Sequence, residues 1–183
     1  MRNNWIFERM AEWPERAAMI RGAQTTTYAD LLGLVAGWQR GFAARQILPG
    51  QTVVVRADFT PAACALLLAL IQHGATVVPL TMATAAQHED LFAATAANVV
   101  LTHHPAPSQS PAPSEPDAGA DFLVLGSDER WQVEHRAHQA PHPLVQRLRA
   151  GGRPGLIAFT SGSTGKPKAI LHDLSKFMET YRE

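Results

Sequence analysis

The chain has 183 residues, 46% of them hydrophobic and 17% charged, which is enough apolar material for one domain with a real core and too much for a disordered chain. Sixteen basic residues balance sixteen acidic ones, so the electrostatic footprint of a nucleic-acid-binding protein is missing. The single cysteine, Cys64, excludes an internal disulfide, and the longest apolar run falls short of the roughly 20 residues that span a bilayer.

The opening stretch MRNNWIFERMAEWPER carries acidic residues and lacks the continuous apolar stretch of a secretory signal, which predicts a cytoplasmic protein. Its amphipathic segment is expected to stop near Pro14, and AAMIRGAQTTTY then reads as two short strands around an Arg21-Gly22 turn. Thr27 is placed to cap a helix, with Asp30 three residues on. Leu31, Val35, Trp38 and Phe42 recur at helical spacing, which makes them core residues rather than a cofactor stack. Pro49 and Gly50 turn the chain into QTVVVRA, a β-branched run suited to a buried strand. TPAACALLLALIQHG reads as a helix stopped by Gly74, ATVVPL as a strand, AAQHEDLFAATAA as a helix and NVVLT as a strand. This alternation with short connections predicts an α/β fold, a mainly parallel sheet flanked by helices. Within it Cys64 reads as a buried structural thiol, because its leucine and alanine neighbours are the reverse of the electropositive setting a reactive cysteine needs.

Residues 103–120, HHPAPSQSPAPSEPDAGA, read as a proline-rich surface loop. DFLVLG resumes the strand pattern, HPLVQRLRAGGRPG reads as a short helix halted by glycines, and LIAFT as a further strand. His135, His138 and His142 stand three and four residues apart, a spacing that aligns ligands on a helix. Pro141 interrupts any such helix and no cysteine joins the group, so no metal site is assigned.

Residues 159–170, FTSGSTGKPKAI, follow that last strand and precede AILH and a helix expected from about Asp173. Gly162 and Gly165 let the main chain approach an anion, Thr160, Ser161, Ser163 and Thr164 offer hydroxyl donors, and Lys168 or Lys166 can neutralise phosphate charge. A Walker P-loop is excluded, because Gly165-Lys166 is followed by Pro167 and Thr160 stands where the first glycine should be.

The stretch from Thr160 to Lys168 resembles the third core motif of the adenylate-forming superfamily, Thr-Ser-Gly-Ser/Thr-Thr-Gly-x-Pro-Lys, and matches it at every fixed position. This superfamily includes acyl- and aryl-CoA synthetases, nonribosomal peptide adenylation domains and luciferases. TTTYADL, around Tyr28 and Leu31, is similar to the first core motif, and LIQHGATVVPL to the second, with Gly74, Ala75 and Pro79 matching. Ala169 departs from the glycine usual after the loop.

The resemblance implies that residues 1–183 form the first part of the large N-terminal AMP-binding domain of a two-step ligase. Such a ligase uses ATP and Mg2+ to convert a carboxylic acid to an acyl adenylate, then passes the acyl group to coenzyme A or another thiol. It implies that Thr160, Ser161, Gly162, Ser163, Thr164, Gly165 and Lys168 contact the β- and γ-phosphates, with Lys166 an accessory charge. It also implies that the motifs for adenine, ribose and Mg2+, together with the adenylation lysine, lie beyond Glu183. The chain then reads as an N-terminal fragment of an acid ligase, either cut short or truncated, or split so that a partner chain carries those motifs. The alternative, favoured for the chain alone, is a catalytically incomplete module that binds ATP or pyrophosphate or packs on a partner. A domain whose loop binds nothing is the third reading.

Overall fold

The computed structural model describes residues 5–83, 88–105, 121–124, 129–137, 139–160 and 167–180. Helix α1 (Trp5–Ala11) leads into a hairpin of β1 (Ala17–Arg21) and β2 (Gln24–Thr27), which turns at Gly22 with φ of 60°. Helix α2 (Tyr28–Phe42) starts at the expected cap. The Thr27 hydroxyl accepts from Asp30 N at 3.1 Å while Asp30 Oδ2 accepts from Thr27 N at 2.9 Å, a reciprocal capping box. A 3-10 turn, Ala43–Arg45, then leads to β3 (Thr52–Arg56). Helix α3 (Pro61–His73) is capped by Thr60, carries Pro61 in its first turn, and ends on Gly74 at φ of 85°, an angle that favours glycine.

Next come β4 (Thr76–Leu80), α4 (His88–Thr95) and β5 (Val99–Pro105). They are followed by β6 (Asp121–Val124), β7 (Glu129–His135), α5 (Pro143–Ala150), β8 (Gly155–Thr160), β9 (Lys168–Asp173) and α6 (Leu174–Glu179). Seven strands form one sheet in the order β6-β7-β5-β3-β4-β8-β9. The four central strands β5, β3, β4 and β8 run parallel, as the alternation predicts, and antiparallel strands close both margins. The sheet is therefore mixed and flanked by helices.

Side chains alternate across a strand, so the valine run of β3 feeds two cores. Val53 and Val55 join Leu31, Val35, Trp38 and Phe42 of α2 and Leu66 and Leu70 of α3 on one face. Val54 joins Val78, Val100 and Ile157 beneath Leu91 and Phe92 of α4 and Val145 of α5 on the other. On the first face Trp38 Nε1 donates to Ala62 O at 3.0 Å, and the Trp38 ring meets Trp131 edge-on at 5.1 Å.

Two differences from the sequence reading concern the margin beyond β5. Strand β5 continues through His103 and His104 to Pro105, so these residues are strand where a loop was expected; the rest of the expected loop, residues 106–120, lies outside the described residues. The strand persists because His103 pairs with Trp131 and His104 with Arg130 on β7, a strand that was not anticipated. Trp131 and Val133 are buried on β7, spaced two apart between Arg130, Gln132 and Glu134, and this alternation was its available signal.

Trp131→Ala should cost about 3–5 kcal/mol, read as a lowered denaturation midpoint at unchanged slope. Thr27→Ala should cost about 1 kcal/mol. The Asp30 carboxyl is held below its ordinary range by hydrogen bonds first from the Thr27 backbone and then from its hydroxyl. Its contribution is thus present above the ordinary aspartate range and lost as pH falls through the lowered folded value. Stability curves of the wild type and Asp30→Asn should converge only below that ordinary range.

Candidate functional site

The stretch from Thr160 to Lys168 joins β8 to β9. Thr160 is the last residue of β8 and Lys168 the first of β9; they are register partners, and both are exposed. Ser161, Gly162, Ser163, Thr164, Gly165 and Lys166 lie outside the described residues. Because β3, β4 and β8 run parallel, Thr160 leaves the sheet at the same edge as Arg56 and Leu80. This is the carboxyl edge, where open α/β sheets bind ligands. Ala169 lies in regular strand within β9, so the departure from glycine there meets no backbone obstacle.

The stem has its own fastenings. Gly155 N donates to Ala75 O at 3.2 Å, and a Cβ at Gly155 would lie 3.0 Å from a Leu148 methyl and 3.1 Å from the Thr76 hydroxyl, so the start of β8 passes close to both. Arg153 Nη1 donates to Asp173 Oδ2, joining the residues that bracket the hairpin. Asp173 Oδ1 accepts from Ser175 N at 3.2 Å and so caps α6. Phe159 and Leu171 pack on the second core cluster. Neither Arg153 nor Asp173 stood out in the sequence. Their contact crosses 20 positions, and each looked like part of a helix boundary.

The other motif positions serve the framework. Tyr28 opens α2, Leu31 is buried, Gly74 ends α3, and Pro79 sits in β4 opposite Val55. His142 Nδ1 accepts from Leu144 N at 3.2 Å at the start of α5, His135 ends β7 exposed, and His138 lies outside the described residues. Among the described residues no group of three or more His, Cys, Asp or Glu side chains is placed to hold a metal ion. Also among them, no helix is long and apolar enough to cross a membrane.

At the far end of β5, a cavity of about 440 Å³ is lined by Phe92, Glu89, Glu134 and Arg136, among others. Arg136 lies over the Phe92 ring at 5.0 Å and pairs with Glu89 at 3.0 Å and Glu134 at 3.2 Å, so its charge is already met.

Thr160 and Lys168 are thus register partners at the carboxyl edge of a parallel sheet, the edge at which open α/β sheets bind ligands. Over residues 6–183 the sequence matches the family described as AMP-binding enzyme, and the chain belongs to this family of adenylate-forming enzymes. It is 29% identical over 168 residues to a feruloyl-CoA synthase of Amycolatopsis sp, covering 92% of this chain and 32% of that protein. With the anthranilate--CoA ligase of Pseudomonas aeruginosa it shares 30% over 147 residues, covering 72% and 26%. With the PKS-NRPS hybrid synthetase acdB of Aspergillus candidus it shares 31% over 173 residues, covering 91% and 6%. The chain thus spans about a third or less of these relatives. The fold is that of the Klebsiella oxytoca NpsA N-terminal subdomain, solved with 3-hydroxyanthranilyl-AMSN, at a TM-score of 0.59 and 22% identity over 91% of this chain and 39% of that one.

Cys64 is half-buried rather than fully buried, and burial pushes its thiol pKa up. Alkylation of Cys64 should therefore be slower than that of a free thiol at pH 8, and its rate should keep rising above the pH at which a free thiol levels off.

Proposed function

We propose that this chain is the N-terminal part of an ATP-dependent acid ligase and that residues 160–168 grip the outer phosphates of ATP. What carries the reading is the match from Thr160 to Lys168 to the family motif, with its two described ends meeting as register partners at the mouth of the loop. Family membership over residues 6–183 supports it. In this reading Thr160, Ser161, Ser163 and Thr164 donate hydroxyl hydrogen bonds to the β- and γ-phosphates. Gly162 and Gly165 let backbone N–H groups approach, and Lys168 offsets the phosphate charge. A carboxylate oxygen of the acid attacks the α-phosphorus, the bond to the β-phosphate oxygen breaks, and pyrophosphate leaves while still held. The loop's work is positioning and charge stabilisation.

Mg2+ would enter with the triphosphate, whose oxygens suit it, and would add charge neutralisation there. The acyl group would pass to a thiol, on coenzyme A or on a carrier. The acid and the acceptor would be met largely by residues outside this chain, in the same polypeptide or a partner. The chain's span of about a third or less of its relatives favours binding without turnover when it is alone.

ATP and pyrophosphate should each raise the melting temperature of the chain, and Thr164→Ala combined with Lys168→Ala should abolish that rise. A persistent rise in the double variant would place the phosphate site elsewhere. Acid-dependent exchange of pyrophosphate into ATP would establish catalysis by the chain alone; stabilisation without exchange would leave it a binding module.

A further inference from the structure

The hairpin that carries the phosphate loop is attached narrowly. Strand β4 pairs with β8 only at Thr76↔Gly155 and Val77↔Leu156, and two residues on Pro79 offers no N–H to extend the ladder. By contrast β9 follows β8 over its whole length, from Gly155↔Asp173 to Thr160↔Lys168. Residues 157–160 therefore find ladder partners only in 168–171, a two-stranded ribbon with β9 at the sheet edge, although Ile157, Phe159 and Leu171 still pack on the second core cluster. An isolated ribbon is marginal, and a one-residue slip would turn every β9 side chain to the opposite face and move Lys168 away from Thr160.

Polar fastenings concentrate at the base of this ribbon. Arg153 is tied to α5 through its N–H, which donates to Leu148 O at 3.0 Å, while its guanidinium reaches Asp173 at the end of β9. Asp173 divides its two oxygens between that guanidinium and Ser175 N, and Leu174 N donates to Pro154 O at 3.1 Å. The side chains of the pair are 32% and 17% exposed, so water screens them less than an open surface pair. Five residue steps separate the Gly155↔Asp173 pair from Thr160↔Lys168, roughly 17 Å of strand, so neither side chain of the ion pair reaches a ligand held at the tip.

We propose that Arg153 and Asp173 are positioning residues for the phosphate loop: their ion pair pins β9 in register on β8 and thereby sets Lys168 opposite Thr160 for a polyphosphate ligand. The proposal rests on the reading of residues 160–168 as a phosphate grip. Gly151 belongs to the same device. A Cβ there would lie 2.9 Å from Arg153 Nε, and since Gly151 has an unstrained φ of −85°, Gly151→Ala displaces the guanidinium while leaving both partners and the cap in place.

The test is titration of the 183-residue chain with Mg·ATP and, separately, with inorganic pyrophosphate, followed by thermal shift, for the unaltered protein and four variants. Arg153→Ala, Asp173→Asn and Gly151→Ala should each raise the half-saturating concentration about 3- to 10-fold, and Arg153→Lys should recover part of the loss. Asp173→Asn removes the charge but keeps a capping side chain, which separates the ion pair from the start of α6. A pair that is only a strut would lower the ligand-free melting temperature and leave half-saturation unchanged, and that result overturns the proposal. If Arg153→Ala does not fold, Gly151→Ala decides by the same criterion. Failure of the unaltered chain to respond to either ligand sinks the phosphate-grip reading and this proposal with it.

Discussion

Burial of β3 and β4 on both faces is the constraint on which the rest of the structure depends. Thr52–Arg56 and Thr76–Leu80 present valines to both sides, so each face needs a cover: α2 and α3 on one, α4 and α5 on the other. A parallel pair buried this way cannot meet a ligand through its middle, because its side chains are spent on packing and its backbone on the ladder. Only the strand ends remain free for chemistry. Capping by Thr27 and Thr60 and termination at Gly74 serve the same end, setting each helix at the length that returns the next strand to the sheet.

The two margins answer different needs. On the β5 side, β7 runs antiparallel and delivers Trp131 into the first core, where it meets Trp38 edge-on and His103 at 4.8 Å. That margin is sealed by aromatic packing. On the β8 side the sheet thins to a ribbon, held by two residue pairs to β4 and by polar contacts at its base. Phe159 and Leu171 still anchor the ribbon to the second core cluster.

Much of the fold could be read along the chain. The valine runs, the apolar stripe of α2 and the capping and stop signals around α2 and α3 are local patterns, and each element formed where its pattern lay. Strand β7 escaped because only Trp131 and Val133 mark it between charged and polar neighbours, and its partner in β5 lies across the proline-rich stretch. The ends of the candidate site were legible for another reason. A run of small polar residues closed by lysine has a recognisable chemistry, and Thr160 ends the strand LIAFT that the sequence implies; strand β9, which Lys168 opens, was not anticipated.

By itself, then, the sequence determined the strand-helix alternation from β1 to β5, the apolar runs that fill the core and the motif found in a chain that belongs to the AMP-binding enzymes. Such features depend on residues close together in the chain, whose spacing dictates periodicity, capping and loop chemistry. Only the tertiary structure decided that both margins are antiparallel, that Trp131 is a core residue, and that Arg153 and Asp173 meet at the base of the β8–β9 hairpin. Edge order, register and ion pairing are settled by contacts between residues far apart in sequence, and no local pattern encodes which distant partner a strand or a charge will find.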